Sequence, residues 1–362
     1  MEQVGPYDFH EGPKNNHLSP SEQLALAGRL LAIPPLCVFW LAHRSLGPES
    51  KSGVMHDLMV KIDGFVTKGL NVRQLRVLVP IKPARKTLGG YSRSAKKAGL
   101  NHYNFYFGGA NYSARWIHEA PDRQPSDPVF IYLHGGGYML KLAFPQVKHI
   151  IALASRYVPS RVSILVLDYT VTPFMQFPGQ LKELVACYND LSATCSNISL
   201  IGDSCGCHLG LILMNHFIDP YPGVDPIEGK IASVVFYSPW ICIDADNAGD
   251  SMKAFTNDII CRDNLREMQT LFCDDKYLAD PTVNFALQTD REYWNKLMPA
   301  KTAVVCGQYE VLGDSVRNWV NLLDSVEFFE EPHGTHDAML SGNDRPAPKF
   351  IESVLDRWYP AC

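Results

Sequence analysis

The chain has 362 residues, 46% hydrophobic and 20% charged, with a net charge of −5. That balance belongs to an ordinary folded protein, and the length suits a single α/β domain with insertions. Lys and Arg are scattered and form no basic stripe, which argues against a nucleic acid partner.

Ten cysteines are present. They show neither the regular spacing of a disulfide framework nor a paired C-x-x-C site. Several lie in apolar runs such as "LVACYNDL" and "TAVVCGQ", where a free Cys acts as a small buried hydrophobe. The reading is a reducing, intracellular compartment.

The first sixteen residues, "MEQVGPYDFHEGPKNN", lack the positive start of a secretory signal. Leu24 to His43 approaches a bilayer span in length, but Arg29 and the pair Pro34-Pro35 interrupt it. The expectation is a cap helix or a segment on a membrane surface, placing the protein in the cytoplasm or on an internal, ER-type membrane. Residues 1–100 read as an apolar N-terminal segment and cap. Residues 101–362 read as the catalytic domain.

"HYNFYFGGANYSARWIHE" alternates polar and apolar residues around Gly108-Gly109, which predicts a hairpin at the edge of a sheet. From Val129 onward short β-branched runs alternate with amphipathic ones. "VFIYLHGG", "VSILVLDYT", "ISLIGDS", "KIASVVFYSPW", "TAVVCGQY" and "VEFFEE" read as strands, with helices between them. This is the pattern of a mostly parallel sheet covered by helices on both faces, an α/β fold. The irregular stretch 243–294 reads as an insertion that roofs a site at the carboxyl edge of the sheet.

Within that order, "SLIGDSCGCHLGLIL" sets Ser204 between Gly202 and Gly206, after an apolar strand and before an apolar helix. A strand-to-helix turn this tight lifts a serine hydroxyl out of the backbone and aims the first helical N–H, that of Cys205, at the same point. A serine hydroxyl is a weak nucleophile until a base and an orienting acid accompany it, and the anion it generates needs fixed donors. "YLHGGGYML" offers such donors upstream: the amides of Gly136 and Gly137 join that of Cys205 in a candidate oxyanion hole.

These motifs, with "LDYTVTPFMQFPGQL" and "SPW", make the stretch from about Asp127 to Leu340 resemble the hormone-sensitive-lipase-like group of α/β-hydrolases, which includes carboxylesterases and fungal steryl acetyl hydrolases. The resemblance implies an α/β-hydrolase fold with an N-terminal and an inserted cap. Cys205 and Cys207 depart from it, since the group commonly carries Ala and Gly there.

The group's order is nucleophile, acid, base. In "VVCGQYEVLGDSV" that implies Glu310 as the acid, with Asp314 the alternative, otherwise a helix cap. In "EEPHGTHDAML" it implies His336 as the base, with His333 the alternative. The function expected is hydrolysis of a hydrophobic, sterol-, lipid- or natural-product-like ester by Ser204, His336 and Glu310 through an acyl-enzyme, with no metal and no organic cofactor. One alternative is a biosynthetic hydrolase acting on a polyketide, terpenoid or peptide intermediate. The other is a ligand-binding receptor on the same scaffold, which ordinarily lacks part of the triad.

Overall fold

A computed structural model describes residues 18–44, 54–255 and 258–360. The N-terminal stretch 1–16 read above lies outside the described residues. Among the described residues five helices come first: α1 (Pro20–Arg44), α2 (Val54–Thr67), α3 (Val72–Leu78), α4 (Ala84–Gly89) and α5 (Ser92–Lys97). The hairpin β1 (Tyr106–Gly108) and β2 (Ser113–His118) follows, then β3 (Val129–Leu133), α6 (Phe144–Tyr157), β4 (Ser163–Leu167), α7 (Gly179–Ser192), β5 (Ile198–Asp203), α8 (Cys205–Ile218) and β6 (Ser233–Tyr237). The segment before the next strand carries α9 (Ser251–Ala254), α10 (Arg262–Phe272) and α11 (Arg291–Leu297). The chain closes with β7 (Lys301–Gly307), α12 (Gly313–Val320), β8 (Glu327–Glu331) and α13 (Pro346–Trp358).

The sheet order is β1-β2-β4-β3-β5-β6-β7-β8. The hairpin joins antiparallel, and β4, β3, β5, β6, β7 and β8 pair in parallel. Every residue of β3 and β5 is buried, which is why these strands read as unbroken apolar runs. Their side chains still alternate between two cores. Val129, Ile131 and Leu133 pack with α7, α8 and α12 on one face; Phe130 and Tyr132 pack with α6 and α13 on the other. Each such fully buried side chain contributes about 1.5–3 kcal/mol.

One expectation is corrected here. Pro34 and Pro35 lie inside α1, which runs unbroken from Pro20 to Arg44. Two prolines remove two N–H donors, but their fixed φ lies in the helical range, and α1 continues through both. Arg29 interrupts the apolar run of this helix, as read from the sequence, without breaking the helix itself. Its guanidinium donates to Phe65 O in α2 at 2.7 Å and lies 5.2 Å from the Phe65 ring centre.

Candidate active site

Four strand ends converge at the carboxyl edge of the sheet. β5 leads into Ser204, β3 into the glycine run, β7 toward Glu310 and β8 toward His336. Ser204 has φ 52° and ψ −120° at the start of α8, a conformation a non-glycine residue holds only under constraint. Close approach supplies that constraint: a Cβ on Gly206 would collide with Leu133 O, and one on Gly202 would sit 2.9 Å from Cys207 N. The turn therefore closes only with glycine at both positions.

Ser204 Oγ lies 2.9 Å from His336 Nε2, and His336 Nδ1 lies 2.8 Å from Glu310 Oε1. The second carboxylate oxygen of Glu310 accepts from Gly307 N at 2.8 Å and from Ser238 Oγ at 2.9 Å. Ser238 in turn accepts from Asp337 N at 3.0 Å. Ser204, Glu310 and His336 are all buried, so their mutual hydrogen bonds act in a low dielectric.

Neither alternative residue joins this line. Asp314 accepts from Ser251 N at 2.7 Å and from Arg317 Nη2 at 2.8 Å. It does not cap α12 as its sequence position suggests, because it sits inside the first turn, where its side chain reaches across to α9. His333 packs against the Tyr309 ring at 5.6 Å, and its N–H donates to Gln308.

The glycine run lies against the start of α8. Gly136 and Gly137 have φ of 109° and 60°, and Tyr138 N donates to Cys205 Sγ at 3.1 Å. His134 braces the run by stacking on Tyr169 at 4.1 Å, while Tyr169 OH donates to His134 O at 2.6 Å. Burial pushes the His134 pKa down to about 4, so its ring stays neutral. From α10, between β6 and β7, Met268 covers Gly137 closely enough that a Cβ there would meet its sulfur. Phe272 stacks on Tyr138 at 4.0 Å.

Carboxylates surround His336. Burial disfavours the charged ring, but Asp337, Glu310 and Asp258 outweigh it and hold its pKa above the usual imidazole range. Asp337 Oδ2 stands 3.4 Å from Nε2, and burial raises the pKa of its carboxyl. Asp203, beneath the serine, accepts from Tyr132 OH at 2.5 Å and Gln146 Nε2 at 2.7 Å.

Sequence reasoning gave no role to Asp258, Ser238 or Arg76. Arg76 of α3 is buried and donates to Met139 O at 3.1 and 2.9 Å and to Thr172 O, fastening the helical N-terminal part to the glycine loop. Only Ser238 carried a signal, as part of "SPW".

A family model described as steryl acetyl hydrolase matches residues 108–358. The chain belongs to the steryl acetyl hydrolase family. Among curated relatives it is 22% identical over 333 residues to mug81 of Schizosaccharomyces pombe, provisionally named a steryl acetyl hydrolase, covering 84% of this chain and 86% of that protein. Steryl acetyl hydrolase 1 of Saccharomyces cerevisiae is 30% identical over 121 residues, 32% of this chain and 27% of that one. Among solved structures, a mutant of the esterase E40 superposes with a TM-score of 0.63 at 23% identity, covering 86% of this chain and 98% of that one. An esterase of the bacterial hormone-sensitive lipase family gives 0.58 at 22%, covering 85% and 98%. These likenesses establish the α/β-hydrolase fold, and family membership makes the chain an ester-hydrolysing enzyme.

Proposed function

We propose that this family member is a serine hydrolase that cleaves a carboxylic ester of a hydrophobic alcohol through an acyl-enzyme. The observation that carries the reading is the hydrogen-bonded line from Ser204 Oγ through His336 to Glu310, at 2.9 and 2.8 Å, on a backbone that presents the hydroxyl at a strand end. Ser204 attacks the ester carbonyl while His336 Nε2 takes its proton, and Glu310 holds the Nδ1–H and balances the imidazolium. The N–H groups of Gly136, Gly137 and Cys205 receive the oxyanion. His336 then protonates the leaving alcohol, and water cleaves the acyl-serine. This chemistry requires no metal or organic cofactor.

For the substrate we propose the acetate ester of a sterol-like alcohol. The family description and the names of the two yeast relatives support it. We also propose that α1 rests on the surface of an internal membrane facing the cytoplasm. The helix is long and apolar enough to cross a bilayer, and it presents Leu24, Leu31 and Val38 to the outside at 76%, 77% and 68% exposure.

The test is a p-nitrophenyl ester series from acetate to palmitate, with a steryl acetate assayed in detergent micelles. Acetate esters should turn over fastest. An enzyme that hydrolyses palmitate best, or no ester at all, contradicts the proposal.

A further inference from the structure

The segment between β6 and β7 places a carboxylate behind the Ser204–His336–Glu310 line. Asp258 is fully buried. Its Oδ1 accepts the main-chain N–H of His336 at 2.9 Å, and its Oδ2 accepts that of Val311, the residue after Glu310, at 2.7 Å. Oδ1 also accepts from Ile259 N at 2.6 Å.

The two loops touch elsewhere as well. Gln308 N donates to Glu331 O at 3.0 Å and Tyr309 N to Gly334 O at 2.7 Å. Those bonds join the two loops on the N-terminal side of Glu310 and of His336. Asp258 bonds at His336 itself and next to Glu310, where an error in loop position passes undiminished to the imidazole.

Asp258 is anchored in its turn. Thr67 Oγ1 donates to Ile259 O, and Asn264 Nδ2 donates to Thr67 O at 3.3 Å and to Leu70 O at 3.4 Å. Val72 N donates to Glu267 of α10 at 3.0 Å. The inserted segment and the N-terminal helices are thereby joined by hydrogen bonds beside Asp258. A fully buried carboxylate is costly unless its oxygens are used, and here both are spent on main-chain amides of the two loops and of its own segment.

We propose that Asp258 is a positioning residue for ester hydrolysis: by holding the Val311 and His336 amides on one carboxylate, it keeps the His336 imidazole in line between Glu310 and Ser204. The proposal rests on the serine-hydrolase reading. Because Asp258 is placed to act through these amides, its loss should appear in kcat with KM unchanged.

The experiment compares full-length wild type with Asp258→Asn and Asp258→Glu on p-nitrophenyl acetate, with active sites counted by a fluorophosphonate probe. Asn has one acceptor oxygen, and its amide NH2 faces the other N–H, so one loop loses its partner. A displacement of about 1 Å at a reacting group can cost on the order of a hundredfold in rate. We expect kcat per labelled site to fall by roughly ten- to a hundredfold, with KM within about twofold.

The acid limb of the kcat/KM profile should also move to lower pH in Asp258→Asn. Burial pushes the Asp258 carboxyl up to about 6, so above that pH the substitution removes a negative charge near His336, while Glu310, Asp337 and Asp203 remain near the ring and Lys68 continues to face position 258. A merely structural role would lower Tm and the number of labelled sites, and leave kcat per labelled site at the wild-type value. That result overturns the proposal.

Should Asp258→Asn fail to fold, Asp258→Glu decides the question, since it keeps charge and both oxygens but pushes them out by a methylene. Wild-type kcat per labelled site in that variant overturns the proposal; a loss of roughly tenfold or more supports it. A wild-type protein that does not label on Ser204 brings down the serine reading, and this proposal with it. Labelled wild type with unaffected variants brings down this proposal alone.

Discussion

Replacing Glu310 with Gln is a sharp probe of the site because the geometry dictates how the amide must sit. In the wild type, Oε1 faces His336 Nδ1 at 2.8 Å, and Oε2 accepts from Gly307 N at 2.8 Å. The Gly307 N–H is a fixed main-chain donor, so it requires an oxygen opposite it. The introduced glutamine must therefore turn its carbonyl oxygen toward Gly307 and its NH2 toward His336. That makes Nδ1 the acceptor and puts the ring proton on Nε2, where it faces Ser204 Oγ and cannot receive the serine proton. The variant holds the wrong tautomer and also loses the charge that balances the imidazolium. In a comparable Ser-His-Asp site the Asp-to-Asn change lowers kcat by about 10⁴-fold, equivalent to about 5.5 kcal/mol of barrier. The two side chains have nearly the same shape and Ser238 can donate to either, so Tm should change by only a few degrees. The assay is kcat/KM on p-nitrophenyl acetate, with Tm by scanning fluorimetry on the same preparation. Asp314→Asn, assayed alongside, should stay within about threefold of wild type, because Asp314 bonds to Ser251 and Arg317 and not to His336. A Glu310→Gln variant that is folded and within tenfold of wild type refutes the reasoning.

Three further outcomes are expected. His336→Ala should lose more than a thousandfold in kcat while His333→Ala stays near wild type; the reverse pattern would move the base to His333. In Asp337→Asn the acid limb of kcat/KM should shift to lower pH: burial favours the neutral Asp337 carboxyl, but the imidazolium 3.4 Å away favours its carboxylate, and the variant removes that charge from beside the protonated ring; an unchanged limb means that Asp337 is not coupled to the base. Vesicle flotation should carry the full-length protein upward, and a carbonate wash should release it; retention after the wash would show that α1 inserts.

The strand and helix order was legible because parallel strands covered on both faces must be apolar throughout, as β3 and β5 are. The hairpin at Gly108-Gly109 was legible from period-two alternation. Motif position singled out Ser204, Glu310 and His336, and the structure brings these three within hydrogen-bond reach of one another. Asp258 was not legible, because its partners are main-chain amides at positions 311 and 336, and an amide leaves no mark in a sequence. Arg76 escaped for the same reason, since its acceptors are carbonyls of Met139 and Thr172. At Pro34-Pro35 the sequence misled by local rule: proline at these two positions removes donors without ending α1. Asp314 misled by proximity to a helix start, where a side chain from the first turn found Ser251 of α9 in place of its own backbone.

The central claim is that Ser204 is the nucleophile. A fluorophosphonate probe followed by peptide mapping should place one phosphonyl adduct on Ser204 in the wild type. Ser204→Ala should remain folded, take up no probe and lose at least about a thousandfold in ester hydrolysis. Labelling at another residue, or a folded Ser204→Ala variant that still turns over p-nitrophenyl acetate within a hundredfold of wild type, would contradict the account.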